Sequence, residues 1–200
     1  MCFLSIIPLA GLLIIFLLIL IKVLVLRKKR IEVTAKESGN KRGYLLIYPI
    51  FLMLFLAWLW GLAEPVFQLK KPLLPAFLTQ RLIEYFMLHA AGATFILLSV
   101  LVMLFALLHF KSSLRFGMSK NNQGKFITTG IFSCTRNPFF LSIDLFFIGQ
   151  AIVFPAPLFI TMAILALISI HLFILKEEKF LQVHYPDEYP IYASKVRRYF

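Results

Sequence analysis

The chain has 200 residues, of which 60% are hydrophobic, and a mean hydropathy of +0.87. A soluble domain of this size cannot bury so much apolar surface, so the composition excludes an ordinary soluble globular protein. The net charge of +12 would suggest nucleic-acid binding in a soluble protein. Here the basic residues stand between long apolar runs, and no nucleic-acid partner is expected.

Five apolar runs follow one another along the chain. They cover residues 3–26, 44–63, 86–110, 139–154 and 158–175. The first three are long enough to span about 30 Å of hydrocarbon at about 1.5 Å per residue. The last two are shorter, and the Pro155-Ala156-Pro157 break between them predicts a tight helical hairpin. The sequence therefore predicts an all-α integral membrane protein of about five transmembrane helices with a cytoplasmic C-terminal tail.

The basic residues are distributed unevenly between the two sides of the membrane that this order of spans defines. Seventeen lie in the loops after the first and third runs and in the tail, whereas three lie in the loop after the second run. Because positively charged loops stay in the cytoplasm, we expect the N-terminus outside and the C-terminus in the cytoplasm. A bacterial inner membrane suits so compact a chain, and an endoplasmic reticulum membrane is the alternative.

The polar residues divide the chain into two regions. Residues 1–110 are predicted to be a scaffold of three spans, in which the small residues of 89–93 would let helices approach closely. Residues 111–200 are predicted to form a cofactor-binding region made of a polar loop, the hairpin and the tail. No metal site is expected, since Cys2 and Cys134 lack the spaced Cys and His neighbours that such a site needs.

The first segment that could carry chemistry is polar and contains two glycines. It reads GKFITTGIF at 124–132 and TRNPFF at 135–140. The glycines permit a tight turn or a close approach of the backbone to a ligand. Pro138 suits the first turn of a helix and Asn137 its N-cap, and the amide groups of such a helix start can bind an anion. The alternative is an ordinary helix start beside an interfacial arginine, Arg136.

The second such segment is the acidic pair Glu177-Glu178, just beyond the fifth run. Negative charge at the C-terminus of a helix opposes the macrodipole and costs about 0.3–1 kcal/mol. The pair therefore indicates a cationic partner, which could be Lys176, Lys179, Arg136 or a cationic ligand. A solvated helix end is the alternative.

Together these segments resemble the isoprenylcysteine carboxyl methyltransferase and phospholipid methyltransferase superfamily. The resemblance rests on TTGIF at 128–132, RNPFF at 136–140, EEKFL at 177–181 and the tyrosine-rich tail at 185–198, in the order and with the spacing of the family. It implies a methyltransferase that uses S-adenosylmethionine. Methyl transfer from a sulfonium is an in-line displacement that needs positioning and water exclusion, so the lack of a catalytic triad is no objection, and no catalytic residue is assigned.

The resemblance also implies which residues contact the cofactor. Carboxylates suit its ammonium and ribose hydroxyls, and amides or cations suit its carboxylate. The residues implied are Gly124, Lys125, Phe126, Ile127, Phe132, Arg136, Asn137, Pro138, Phe139, Phe140, Glu177 and Glu178.

The acceptor is expected to be a lipid-like or isoprenoid-type molecule dissolved in the membrane. Phe173 stands where relatives that methylate a prenylcysteine carboxylate have an arginine, so we expect an acceptor that has no carboxylate to pair. Asp144, an acid inside a predicted span, and His171, six to seven residues before the acidic pair, are further candidates for substrate contact.

Departures from the family pattern keep two alternatives open. The motif tyrosine is Phe140, the glycine after it is Ser142, and Phe173 replaces an arginine. Because of Phe140 and Phe173, a non-catalytic member of the fold is one alternative. A nicotinamide-dependent membrane reductase of related fold is the other alternative. Such a reductase would have its aspartate at Ile143 and would lack the acidic pair, so Glu177-Glu178 favours the methyltransferase.

The distribution of basic residues predicts that positions 125 and 180 face the same compartment. In a chain with Cys2 and Cys134 replaced by serine, Lys125→Cys and Phe180→Cys should react with a membrane-impermeant maleimide from the cytoplasmic side only. Lys70→Cys is the control and should react from the opposite side. Labelling of positions 125 and 180 from different sides would overturn the predicted topology.

Overall fold

A computed structural model of the chain describes residues 3–31, 47–68, 73–110 and 126–199, and all regular structure in these ranges is helical. The predicted all-α class is thus confirmed. The elements are a 3-10 turn at Phe3–Ile6, α1 (Ile7–Lys28), α2 (Ile47–Phe67), α3 (Ala76–Thr79), α4 (Phe86–His109), a 3-10 turn at Gly130–Ser133, α5 (Pro138–Val153), α6 (Pro157–His184) and α7 (Glu188–Lys195).

Among the described residues, four helices are long and apolar enough to cross a bilayer: α1, α2, α4 and α6. The fifth apolar helix, α5, has only 16 residues, and at about 1.5 Å per residue it is about 24 Å long, less than the roughly 30 Å of a hydrocarbon core. These helices support the integral membrane class. The count of five spans, the sidedness and the boundary at residue 110 stay predictions.

Helices α5 and α6 follow each other with only Phe154, Pro155 and Ala156 between them. The amide of Ala156 donates to the carbonyl of Phe154 at 2.8 Å, and Pro157 begins α6. The Pro155 carbonyl accepts a hydrogen bond of 2.8 Å from the amide of Leu82, in the segment between α3 and α4. The proline break therefore lies at the turn between the two helices, and α5 and α6 pack against each other.

Helix α6 continues to His184, nine residues past the end of its apolar run, because Lys, Glu, Leu and Gln residues favour the helix. Glu177 and Glu178 are therefore seven and six residues before the last residue of α6. The macrodipole acts only within the last turn of a helix. The argument that these acids oppose a helix dipole was thus wrong, and their partner must be explained by tertiary contacts.

Helix α5 is buried between α1, α4 and α6, and it approaches α4 most closely at two glycines. A Cβ atom added to Gly92 would lie 2.6 Å from the carbonyl oxygen of Gly149, and one added to Gly149 would lie 2.7 Å from that of Gly92. About two helical turns from the glycines, Ser142 Oγ donates to the carbonyl of Ser99 at 2.9 Å. The small-residue cluster at 89–93 thus allows the close helix approach that the sequence predicted.

The outer surface of α1 is apolar. Helix α1 exposes large aliphatic and aromatic side chains, among them Leu13, Phe16, Leu17 and Leu20. Apolar side chains that face outward along a 22-residue helix suit contact with lipid rather than water. The short α5, in contrast, has neighbouring helices on most sides, which allows it to carry buried polar residues such as Asp144 and Gln150.

Gly92→Ala should destabilise the protein by about 1–3 kcal/mol, because the added methyl meets backbone atoms of α5, which cannot move aside as a flexible side chain could. The measurement is the free energy of unfolding in mixed micelles, followed by the loss of helical circular dichroism. Ala91→Val is the control, because Ala91 is exposed and its change should stay within about 0.5 kcal/mol. Equal stability of both variants would contradict the close approach of α4 and α5.

Candidate functional site

The residues that lead into α5 lie against the tail that follows α7. The amide of Arg136 donates to the carbonyl of Arg197 at 3.0 Å. The carbonyl of Arg198 accepts hydrogen bonds from Thr135 Oγ1 at 3.1 Å and from Asn137 Nδ2 at 3.3 Å. Asn137 occupies the N-cap position as predicted, but its side chain makes no capping bond to α5. It ties the tail to the start of α5 instead.

Glu178 of α6 is shared by two arginines from different parts of the chain. Arg198 binds it through two bonds, from Nε to Oε1 at 3.0 Å and from Nη2 to Oε2 at 2.7 Å. The Nη2 of Arg136 lies 3.3 Å from Oε1. The Glu178 side chain is only 13% exposed. The hydrogen bond to Glu178 raises the pKa of Arg198 above its ordinary value, so the guanidinium stays charged and holds the tail in place.

The two predicted glutamates have different surroundings. In the part of the chain that the structure describes, the ion pairs of this region go to Glu178, while Glu177 is partly buried without one. Successive residues of a helix point about 100° apart, which explains why one carboxylate faces the arginines and the other does not. Lys176 and Lys179, the other candidate partners, do not pair with Glu178; Arg136 and Arg198 do.

An aromatic cluster lies beside this charged group. The ring of Phe126 stacks on Tyr185 at 5.1 Å between centroids and meets Tyr192 at 5.3 Å and Tyr189 at 6.0 Å. Tyr192 donates to the carbonyl of Phe132 at 2.6 Å. This cluster fixes the segment 126–132 to α7.

The hydroxyl of Tyr189 is buried and has no hydrogen-bond partner, and the same is true of Arg136 Nε. Burial, and then the negative charge of Glu178, raises the pKa of Tyr189 to about 12, with Arg136 and Arg198 acting in the opposite direction. Tyr189 therefore lies within electrostatic reach of the Arg136–Glu178–Arg198 group. The unpartnered hydroxyl and Nε leave room in the hydrogen bonding of this region for one more polar group.

The phenylalanines predicted to contact a cofactor form the base of the site. Phe132 is buried and meets Phe110, the residue that follows α4, edge to face at 5.0 Å, and Phe110 also meets Phe139 at 6.5 Å. Phe140 lies 5.6 Å from Phe139 and 5.3 Å from Phe173 of α6. These rings, together with the buried Pro138, connect the end of α4, the start of α5 and α6.

The 3-10 turn at Gly130–Ser133 positions Phe132 among these rings. Gly130 has a φ of +67°, and a Cβ atom there would overlap the ring of His109. The glycine is thus required both for its left-handed backbone conformation and for the close approach of the turn to α4. Of the remaining predicted contacts, Ile127 is partly buried next to Phe126, whereas Gly124 and Lys125 lie outside the described residues.

The candidate substrate residues fall into two groups. Phe173 is 38% exposed and packs on Phe140. His171 Nδ1 lies 2.9 Å from the hydroxyl of Tyr199, with the two rings stacked at 6.1 Å. The pKa of Tyr199 is raised, first by burial and then by the charge of Asp144. Sequence analysis did not assign a role to Tyr199 or a partner to Arg198, because both contacts depend on how the tail folds back.

The apolar helices and the charged and aromatic group at the helical hairpin define the class as an integral membrane protein with a polar site. The sequence model for phospholipid methyltransferase matches residues 87–188, slightly more than half of the chain. The protein therefore belongs to the phospholipid methyltransferase family, which confirms the resemblance drawn from the motifs. No curated protein and no solved structure matches the chain significantly. The match covers α4, α5 and α6 and ends at the first residue of α7, before Arg198 and Tyr199.

Two tyrosines of α7 should respond differently to loss of the hydroxyl. Tyr192→Phe should lower the free energy of unfolding by about 1–3 kcal/mol, because the Phe132 carbonyl loses its buried donor. Tyr189→Phe should leave stability within about 0.5 kcal/mol or raise it, because its hydroxyl has no partner to lose. Both values come from the same unfolding titration in mixed micelles. The reverse order would contradict the hydrogen bonding of α7.

Proposed function

We propose that the protein transfers a methyl group from S-adenosylmethionine to a lipid-like acceptor dissolved in the membrane. The observation that carries this proposal is the Arg136–Glu178–Arg198 group, formed by motif residues of a phospholipid methyltransferase family member where α5 begins. The family membership supports methyl transfer as the reaction. The cofactor, its contacts and the acceptor are the finer parts of the proposal.

The polar groups around Glu178 fit the charges of this cofactor. Arg136 Nε is a buried donor without an acceptor, and the Tyr189 hydroxyl is buried without a partner. A carboxylate is the group that such donors bind best. Glu178, and Glu177 beside it, would hold the ammonium or the ribose hydroxyls. When bound, the cofactor supplies a methyl group activated by a positively charged sulfur.

The protein itself would position the reactants and exclude water from the site. The rings of Phe126, Tyr185 and Tyr192 pack together, and so do Phe110, Phe139 and Phe140; both sets of rings would keep water from the charged group. Excluding water strengthens the interactions of charged groups with the protein. Holding donor and acceptor in fixed positions lowers the entropy cost of bringing them together for the displacement. The motif residues Phe132, Asn137 and Pro138 would act by holding this framework.

The proposed acceptor reaches the site from the bilayer. Phe140 and Phe173 face each other between α5 and α6 at 5.3 Å, and Phe173 is partly exposed. This apolar pair suits an alkyl or isoprenoid chain, and it cannot neutralise a carboxylate as an arginine would. The proposal further includes the cytoplasmic orientation of the site and an inner-membrane location, both of which rest on the basic loops.

A second candidate function is a non-catalytic family member. It is favoured by the two arginines, which occupy both oxygens of Glu178 with the tail in its present position. Binding of the cofactor requires Arg198 to move or to share Glu178 with the ligand, and a permanently closed tail would prevent binding. The family match favours either of these functions over the nicotinamide-dependent reductase.

Replacing both glutamates, as Glu177→Gln with Glu178→Gln, should weaken S-adenosylmethionine binding about tenfold or more. Each charge-assisted hydrogen bond lost is worth about 1.5–3 kcal/mol. The measurement is equilibrium binding of radiolabelled S-adenosylmethionine to detergent-purified protein whose helical content and elution volume match those of the wild type.

Glu84→Gln is the matched control, because Glu84 is an exposed acid near the opposite end of α4 and should leave affinity unchanged. Unchanged affinity in a folded double variant would remove both glutamates from the cofactor site. Absence of binding to the wild type itself would favour the non-catalytic member.

A further inference from the structure

A second polar cluster lies along α6, deeper in the helical hairpin than the Glu178 group. His171 precedes Glu178 by seven residues, which is two helical turns, so both side chains project from nearly the same face about 10 Å apart. The consecutive tail residues contact them in turn: Arg198 binds Glu178, and Tyr199 bonds to His171. The tail therefore runs along α6 and inserts the Tyr199 phenol beyond the charged group.

Asp144 of α5 completes this cluster. It is only 6% exposed, its Oδ1 has no hydrogen-bond partner, and its charge acts on Tyr199. It lies one helical turn from Phe140, whose ring contacts Phe173 of α6. A buried carboxylate inside an apolar helix is costly unless it is bound to a donor, and such residues mark functional positions in membrane proteins.

The polar groups of three elements converge at this level of the hairpin. Asp144 comes from α5, His171 from α6 and Tyr199 from the tail, with Glu178 and Arg198 as the nearest charged residues toward the start of α5. Glu178 is already paired with Arg136 and Arg198, and the cofactor contacts proposed above do not use Asp144, His171 or Tyr199. The cluster is thus free to take a role other than the cofactor contacts proposed above.

We propose that Asp144, His171 and Tyr199 form the acceptor site and take up the proton that the acceptor loses on methylation. This inference rests on the proposed methyl transfer. It restricts the acceptor to an amphiphile whose reacting atom carries an N–H or O–H, and its apolar chain lies along Phe140 and Phe173. An acceptor that reacts through a carboxylate has no proton to lose, and Asp144 would repel it.

The reaction balances with the groups at hand. A bond forms between the acceptor atom and the methyl carbon, the bond from carbon to sulfur breaks, and its electron pair stays on sulfur. The phenol of Tyr199 donates its proton to His171 Nδ1 and receives the acceptor's proton in return. A hydroxyl gives up this proton as the new bond forms, and an ammonium gives it up before attack. Asp144 offsets the positive charge that His171 gains.

The first test uses three probes of equal chain length in phosphatidylcholine vesicles that hold the purified protein and radiolabelled S-adenosylmethionine. Dodecylamine carries N–H, 4-dodecylphenol carries O–H, and dodecanoate carries a carboxylate. The expected result is methylation of the amine or the phenol and none of dodecanoate. Methylation of dodecanoate alone, or cofactor binding without transfer to any probe, overturns the inference.

The second test separates a proton-accepting role from a structural one. His171→Ala should lower the transfer rate by about 10²-fold or more while cofactor affinity stays unchanged, and added imidazole should restore part of the rate. His184→Ala is the matched control on the same helix, because its Nδ1 is bonded to the Phe180 carbonyl, and it should retain the rate. A His171→Ala rate that stays at the wild-type value, or a loss that imidazole does not restore, overturns the assignment.

A third measurement does not require catalysis. Dicyclohexylcarbodiimide attaches to protonated carboxyls in apolar surroundings, so labelling is carried out at about pH 5, where more of the Asp144 carboxyl is protonated than at the pH of the transfer reaction, and mass spectrometry identifies the labelled residue. Asp144 should be labelled, and dodecylamine should protect it. Absence of labelling, or labelling that dodecylamine does not reduce, overturns the acceptor site. A wild type that fails to bind S-adenosylmethionine but shows protected labelling counts against the proposed methyl transfer and leaves the amphiphile site supported.

Discussion

The structure depends on the carboxylate of Glu178, whose negative charge must be paired with positive charge. Glu178 is nearly buried where α6 leaves its apolar stretch, and an unpaired charge there would cost several kcal/mol. Two arginines supply the compensation, one from the residues before α5 and one from the tail. The shared carboxylate therefore joins three segments that no run of local sequence joins. The backbone bonds of the tail to 135–137 and the aromatic rings around Phe126 add to this junction, and together they define the charged side of the site.

The second constraint is the short helix at the centre of the bundle. Helix α5 lies against α4 at Gly92 and Gly149 with backbone almost touching backbone, and it is covered by α1 and α6 on other sides. A helix so enclosed can hold polar side chains away from lipid, which is why Asp144 can be buried within it. The rigid packing also sets the separation of α5 and α6, where Phe140 and Phe173 meet. The packing of apolar helices thus positions the polar residues of the site.

These two features place different chemistry at successive depths along one face of α6. The charged group around Glu178 suits the cofactor proposed above, which has both positive and negative groups. The cluster of His171, Tyr199 and Asp144 lies two turns further along, beside aromatic rings that suit an apolar chain. In the proposed reaction, the methyl donor would reach the site from water and the acceptor from the bilayer. The donor would not have to enter the bilayer, and the acceptor would not have to enter water.

The sequence by itself determined the membrane class, the five apolar helices and the family, because long apolar runs and motifs at fixed spacing can be read along the chain. It also located the start of α5, the turn before α6 and the small residues of α4. It misjudged the end of α6 and therefore the reason for the acidic pair, since the apolar pattern stops at Leu175 while helix propensity does not. Only the tertiary structure decided that Asn137 bonds the tail, that Glu178 alone of the pair binds arginine, and that Tyr199 reaches His171. Each of these contacts joins residues 20 to 61 positions apart, and such pairs form when helices pack and the tail folds back, which periodicity along the chain does not encode.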